Sequence, residues 1–158
     1  MRRHAVTKDK KHEAKDQASW VEALLGEPYW VVDVLPSQVP ADAGGRFFAV
    51  EPLLTEGPRG AELRRRFADV VLKLYCCHDI VVFRGESSRG KANPKPEKLD
   101  AWIVRRDPLC ILLPAQDALL QVPEDGTCMT LYHPTPELLE QVRQLAAASG
   151  LFVWQPGA

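Results

Sequence analysis

Apolar positions recur along this chain in two rhythms. Between residues 58 and 75, Leu63, Phe67, Val70, Val71 and Leu74 fall at i, i+4, i+7, i+8 and i+11, one stripe of an amphipathic helix. Glu62–Arg66, Arg65–Asp69 and Asp69–Lys73 are spaced to support one another on its wet side. A second helix is marked more fully. Thr135 can cap it, Pro136 suits its first position and Glu137 suits its dipole. Leu138, Val142, Leu145 and Ala146 make its stripe, and Gly150 ends it. A shorter helix is expected from Ser19, where Ser19-Trp20-Val21-Glu22 fits a capping box.

The other rhythm is that of strands. Runs rich in β-branched and aromatic residues predict strands at 29–35, 46–51, 79–84, 101–105, 109–113, 119–122, 127–132 and 151–154. Residues 85–98 are rich in Gly, Ser, Pro and Lys and read as an exposed loop. The chain thus twice reads strand, helix, strand, at 46–84 and 127–154. Each crossover is long enough for a right-handed parallel unit. Two such units side by side predict an α+β, ferredoxin-like two-layer sandwich with a mixed sheet and helices on one face. The strand at 29–35 would be an N-terminal addition and 99–122 an inserted hairpin.

Length and composition change this picture only at the edges. A chain of 158 residues suits one domain. Residues 1–17 hold six Lys/Arg, three Asp/Glu and two His with few apolar residues. They read as a basic, flexible tail before a single domain at 18–158. The net charge of -1 gives no global reason to expect nucleic acid or an acidic membrane. No apolar segment of a secretory signal is visible near the start, and no apolar run approaches membrane-spanning length. Cys76, Cys77, Cys110 and Cys128 form no disulfide framework. They read as buried free thiols in a reducing compartment, so a cytoplasmic location is expected.

Candidate chemistry is sparse. Gly85-Glu86-Ser87-Ser88-Arg89-Gly90-Lys91 has the spacing of a phosphate-binding loop. It lacks the Ser or Thr that would hold Mg²⁺, and Asn93-Pro94-Lys95-Pro96 follows where a helix should begin. The Cys and His residues lack the paired spacing of a zinc site, and His78 beside Cys76 and Cys77 carries little weight, since catalytic pairs meet from separate segments. Asp33, Glu51 and Asp79 interrupt or bound strands and would suit a hydrolase if they converged on one cleft. Arg84, Arg89, Lys91, Lys95 and Lys98 cluster in and around the 85–98 loop, and Arg64-Arg65-Arg66 adds charge on the first long helix. Phe47, Phe48, Phe83, Tyr132, Phe152 and Trp154 are available for stacking or anchoring. No stretch carries a recognised motif beyond the incomplete phosphate loop.

The resulting expectation is a non-catalytic macromolecular interaction or regulatory module without a cofactor or metal. A protein partner or self-association is favoured, with Phe48 and Trp154 as anchors. The alternative is a nucleic-acid-binding module using the basic tail and the 84–98 loop, with Arg84, Arg89, Lys91 and Lys95 as its contact residues. The weaker alternative is the hydrolase on Asp33, Glu51 and Asp79. No membrane role is expected.

Overall fold

In the computed structural model, residues 16–125 and 127–157 are described. Most of the expected tail lies outside them; residues 16 and 17 already belong to a helix, α1, that runs from 16 to 24. Ser19 therefore lies inside α1 rather than capping it. The remaining helices are α2 (Gly44–Thr55), α3 (Gly57–Tyr75), α4 (Pro96–Val104) and α5 (Pro136–Ala148). The strands are β1 (Tyr29–Asp33), β2 (Val81–Arg84), β3 (Lys91–Ala92), β4 (Leu109–Leu113), β5 (Ala118–Val122), β6 (Cys128–Tyr132) and β7 (Phe152–Trp154).

The fold is α+β, built on one open sheet in the order β3-β2-β4-β5-β6-β1-β7. Every strand pairing in it is antiparallel. The unit expected at 127–154 is present in a split form. β6 and β7 both pair with β1, one on each side, so they run parallel to each other with β1 between them and α5 connecting them. The unit expected at 46–84 does not form, because 46–51 lies within α2. The two-unit ferredoxin-like arrangement with a mixed sheet is therefore not reproduced. The hairpin expected as an insertion, β4–β5, is central to the sheet instead.

Two strand assignments, 46–51 and 101–105, give way to helix for one reason. Phe47, Glu51, Leu54 and Thr55 are the less exposed positions of α2, at i, i+4, i+7 and i+8. Leu99, Trp102 and Ile103, at i, i+3 and i+4, are the buried positions of α4, where a strand at 101–105 was expected. Aromatic and β-branched residues favour strands only weakly, and a helical burial pattern overrides them. Pro96 occupies the first turn of α4, where its missing N–H costs nothing. The expected loop 85–98 is correspondingly shortened by β3 and by the start of α4.

Helices cover both sheet faces. Alternate strand residues Val32, Val82, Ile111, Leu113, Leu120 and Leu131 join the buried residues of α3, α4 and α5 in the main core. The expected stripe of α3 is buried throughout. In α5, Leu138, Val142 and Ala146 are buried and Leu145 is half-buried. On the opposite face, Val81, Phe83, Leu112 and Leu119 pack against Val21 and Leu24 of α1. Among the described residues no helix is long and apolar enough to cross a membrane. All four cysteines are free; Cys76 and Cys77 are exposed at the end of α3 rather than buried, and Cys110 and Cys128 are half-buried.

Candidate functional site

The incomplete phosphate loop is the turn of a hairpin. Residues 85–90 connect β2 to β3, with Val81 opposite Ala92 and Val82 opposite Lys91. No helix follows directly, so the backbone cannot cradle a phosphate in the manner of that motif. Gly90 is needed for a different reason. A Cβ there would come within 2.3 Å of Val81 Cγ1 and 2.9 Å of Phe83 Cζ. The turn folds back tightly on β2 and holds Arg89 and Lys91 beside Arg84.

Both ends of this segment are tied down. The Gly85 N–H donates to the Pro108 carbonyl at 2.9 Å. Asn93 and Ile80 exchange hydrogen bonds at 2.9 Å, through the Asn93 N–H and through its side-chain oxygen. The Tyr75 hydroxyl donates to the Pro94 carbonyl at 2.7 Å. Pro96 then starts α4, whose first turn brings Lys98 and whose later turns bring Trp102 to the same place.

The product is an open cleft of about 630 Å³ lined by Arg84, Arg89, Lys91 and Lys98, with Trp102 as its apolar wall. Asp107 is its single carboxylate. Asp107 accepts from Arg105 at 2.7 Å and from Arg84 at 3.0 Å. The bond from Arg105 holds its carboxyl below the usual aspartate range, with Arg84 adding to the effect. The Arg84 guanidinium also lies over the Trp102 ring, 4.6 Å from its centroid. Arg84 is thus a braced wall. Arg89, Lys91 and Lys98 are in no ion pair among the described residues. In a chain of near-neutral net charge this is a local concentration of cations over low-dielectric walls, an arrangement that attracts anions.

The remaining expected site residues do not gather here. Lys95 is exposed at the N-cap of α4, outside the cleft lining. Phe48 stands on α2 and is 73% exposed. Trp154 is half-buried on β7, and its indole N–H donates to Asp33 Oδ2 at 3.2 Å. It is a strut for a buried carboxylate and not a free anchor.

The three carboxylates do not all converge: Asp33 and Glu51 both bear on Cys128, and Asp79 lies elsewhere. Asp33 is buried at the end of β1 and also accepts from the Thr127 hydroxyl at 3.3 Å. Burial pushes its carboxyl up, while the N–H groups of Leu35 and Val34, the Trp154 indole and Thr127 pull it down. Glu51 is on α2. Asp79 precedes β2, where Asn93 donates to it at 3.2 Å. β2 and β1 are four strand positions apart, roughly 19 Å at about 4.8 Å per strand, so Asp79 cannot share a pocket with Asp33. The Cys128 thiol, on which Asp33 and Glu51 bear, does not replace them. Burial, reinforced by Asp33, Glu51 and Asp125, pushes the Cys128 thiol up to about 11, leaving it protonated at neutral pH.

Trp102 and Asp107 were missed as cleft residues, although Leu99, Trp102 and Ile103 carry a helical spacing that would have placed Trp102 beside Lys98. No protein-family model, no curated protein and no solved structure matches the chain. The functional reading therefore rests on its own side chains.

Proposed function

We propose that the protein is a non-catalytic macromolecular binding module whose main surface is the cleft between the β2–β3 turn and α4, and that its ligand is the phosphate backbone of a nucleic acid. One observation carries this reading: Arg84, Arg89, Lys91 and Lys98 surround one open cleft with a single carboxylate, and that carboxylate is already engaged by two arginines. Backbone contact of this kind is electrostatic and indifferent to sequence. The test is the affinity for mixed single-stranded oligonucleotides by fluorescence anisotropy at several salt concentrations. Three to four phosphate contacts give a log–log salt slope of about -2 to -3, at roughly -0.7 per contact. Changing Arg89, Lys91 and Lys98 together to Glu weakens binding by at least about tenfold across all sequences, since three contacts become repulsions. Absence of binding at about 50 mM salt, where screening is mild, or an unaffected triple variant, ends the reading.

A protein partner or a second copy of the chain is the other reading, and it is supported by α2. Phe48, Leu53 and Val50 are exposed together on that helix. Patches of this kind mark protein contacts. In this case Phe48→Ala costs on the order of 2 kcal/mol in partner affinity, and the salt dependence is mild.

A further inference from the structure

A second cavity, of about 110 Å³, lies between α2, α3, the C-terminal end of α4 and the β5–β6 turn. Its floor is apolar: Leu63, Phe67, Ile103, Val122 and Met129, each nearly buried. Its rim carries opposite charges in separate places. Arg64 and Arg106 stand on one side, both donating to the Thr55 carbonyl at the end of α2, and Arg64 also donates to the Val104 carbonyl at 2.8 Å. Neither guanidinium is in an ion pair among the described residues. The pair feel each other: burial and the charge of Arg106 push the Arg64 guanidinium below its usual range. Glu51, Glu124 and Asp125 line the same cavity without closing on either arginine. Glu51 and Asp125 instead bear on Cys128, whose neutral thiol adds no competing charge.

A solvated pair of arginines capping α2 would need neither the apolar floor nor the facing carboxylates. A ligand that uses all of them has an anionic head, a cationic head and a small apolar body. Glu51 stands one helical turn before Thr55, whose carbonyl both arginines hold, so it and the two guanidiniums border the same cavity from adjoining positions. An ammonium and a carboxylate on one carbon would engage the two kinds of charge separately, each through a charge-assisted hydrogen bond of about 2.8 Å. The whole cavity, at about 110 Å³, is smaller than the roughly 150 Å³ cavity that admits a benzene ring, which favours a small aliphatic side chain over an aromatic one. We propose that this cavity binds a free aliphatic α-amino acid, with its carboxylate on Arg64 and Arg106, its ammonium toward Glu51, Glu124 and Asp125, and its side chain on the apolar floor. The site is separate from the basic cleft and stands or falls without it.

The experiment is a thermal-shift and NMR titration of the full chain with L-valine and L-leucine, beside leucinamide, N-acetyl-leucine and L-glutamate. Saturating leucine or valine raises the unfolding midpoint by on the order of 5 °C and shifts the methyl signals of Leu63, Ile103 and Met129. The amide and the acetylated form, each lacking one charge, do neither, and nor does glutamate. Arg106 sits at φ 68°, a left-handed conformation, so Arg106→Gly relieves backbone strain and keeps the fold while abolishing the leucine response. No response to leucine or valine at about 10 mM, a concentration at which even millimolar affinity would register, overturns the proposal. So does an equal response to leucinamide or N-acetyl-leucine, or an undiminished response in folded Arg106→Gly.

Discussion

Helices α5 and α2 are of similar length and both are rich in apolar residues, yet they stand in opposite relations to the core. In α5 the apolar stripe and the buried face coincide: Leu138, Val142 and Ala146 are covered, and the Thr135 hydroxyl accepts the Leu138 N–H at 3.1 Å to fix the first turn. In α2 no residue is fully buried and no side chain caps the start. Its inward positions, Phe47, Glu51, Leu54 and Thr55, are only half-covered, while Phe48, Ala49, Val50, Pro52 and Leu53 face outward. An apolar helix that exceeds its own burial has surface left for something else. The difference separates apolar residues that hold the fold from apolar residues available to a partner.

The largest test of that contrast is a carboxylate on each helix. Val142 is 1% exposed. Val142→Asp places an unpaired charge against the sheet, a cost that rivals the whole stability of a domain, about 5–15 kcal/mol. The expected outcome is loss of a cooperative unfolding transition, seen by circular dichroism and calorimetry. Phe48→Asp, at 73% exposure, leaves that transition in place. Equal damage from the two would show that the helices play the same role.

A smaller effect is expected at the junction that seats α2. A Cβ on Gly60 would come within 2.0 Å of the Thr55 carbonyl oxygen and 2.4 Å of its carbon. Backbone cannot yield as a flexible side chain would, so Gly60→Ala pries the end of α2 away from α3. Overpacking of this kind costs about 1–3 kcal/mol, or a midpoint lowered by several degrees, at roughly 2–4 °C per kcal/mol for this size. The exchange of α2 amides with deuterium should accelerate while that of α5 amides stays slow. A drop in protection across both helices would mean that α2 is integral to the core.

What was legible in the sequence divides along the same line. α3, α5 and the strands β4, β5 and β6 were readable because their periodicity and their burial agree. α2 and α4 were misread because Phe-Phe-Ala-Val and Trp-Ile-Val are strand-like in composition, and only the inward spacing of Phe47, Glu51 and Leu54, or of Leu99, Trp102 and Ile103, reveals the helix. The insertion of β1 between β6 and β7 joins residues about a hundred positions apart, and no local signal encodes such a pairing. The basic cleft was half visible: Arg84, Arg89, Lys91 and Lys98 come from one short stretch. The second cavity was invisible, since Glu51, Arg64, Arg106 and Asp125 come to line it only after three helices and a hairpin have packed.

The smallest expected effect is also the most discriminating for α2. Phe48→Ser with Leu53→Ser removes the two most exposed apolar side chains of the helix, 73% and 64% exposed. Neither side chain fills a core position, so no cavity forms and no buried group loses a partner. Changes at such positions normally stay within about 0.5 kcal/mol, which here is a midpoint shift of roughly 2 °C or less. The double variant should unfold at nearly the wild-type temperature and should bind less of an apolar dye. Light scattering across a concentration series then distinguishes what the patch does. If the wild-type chain associates and the double variant does not, α2 is the contact between copies. If both remain monomeric, the patch is open to a different protein. A midpoint lowered by much more than the expected shift would instead show that Phe48 and Leu53 are packed in solution, and the reading of α2 as a docking helix would have to be given up.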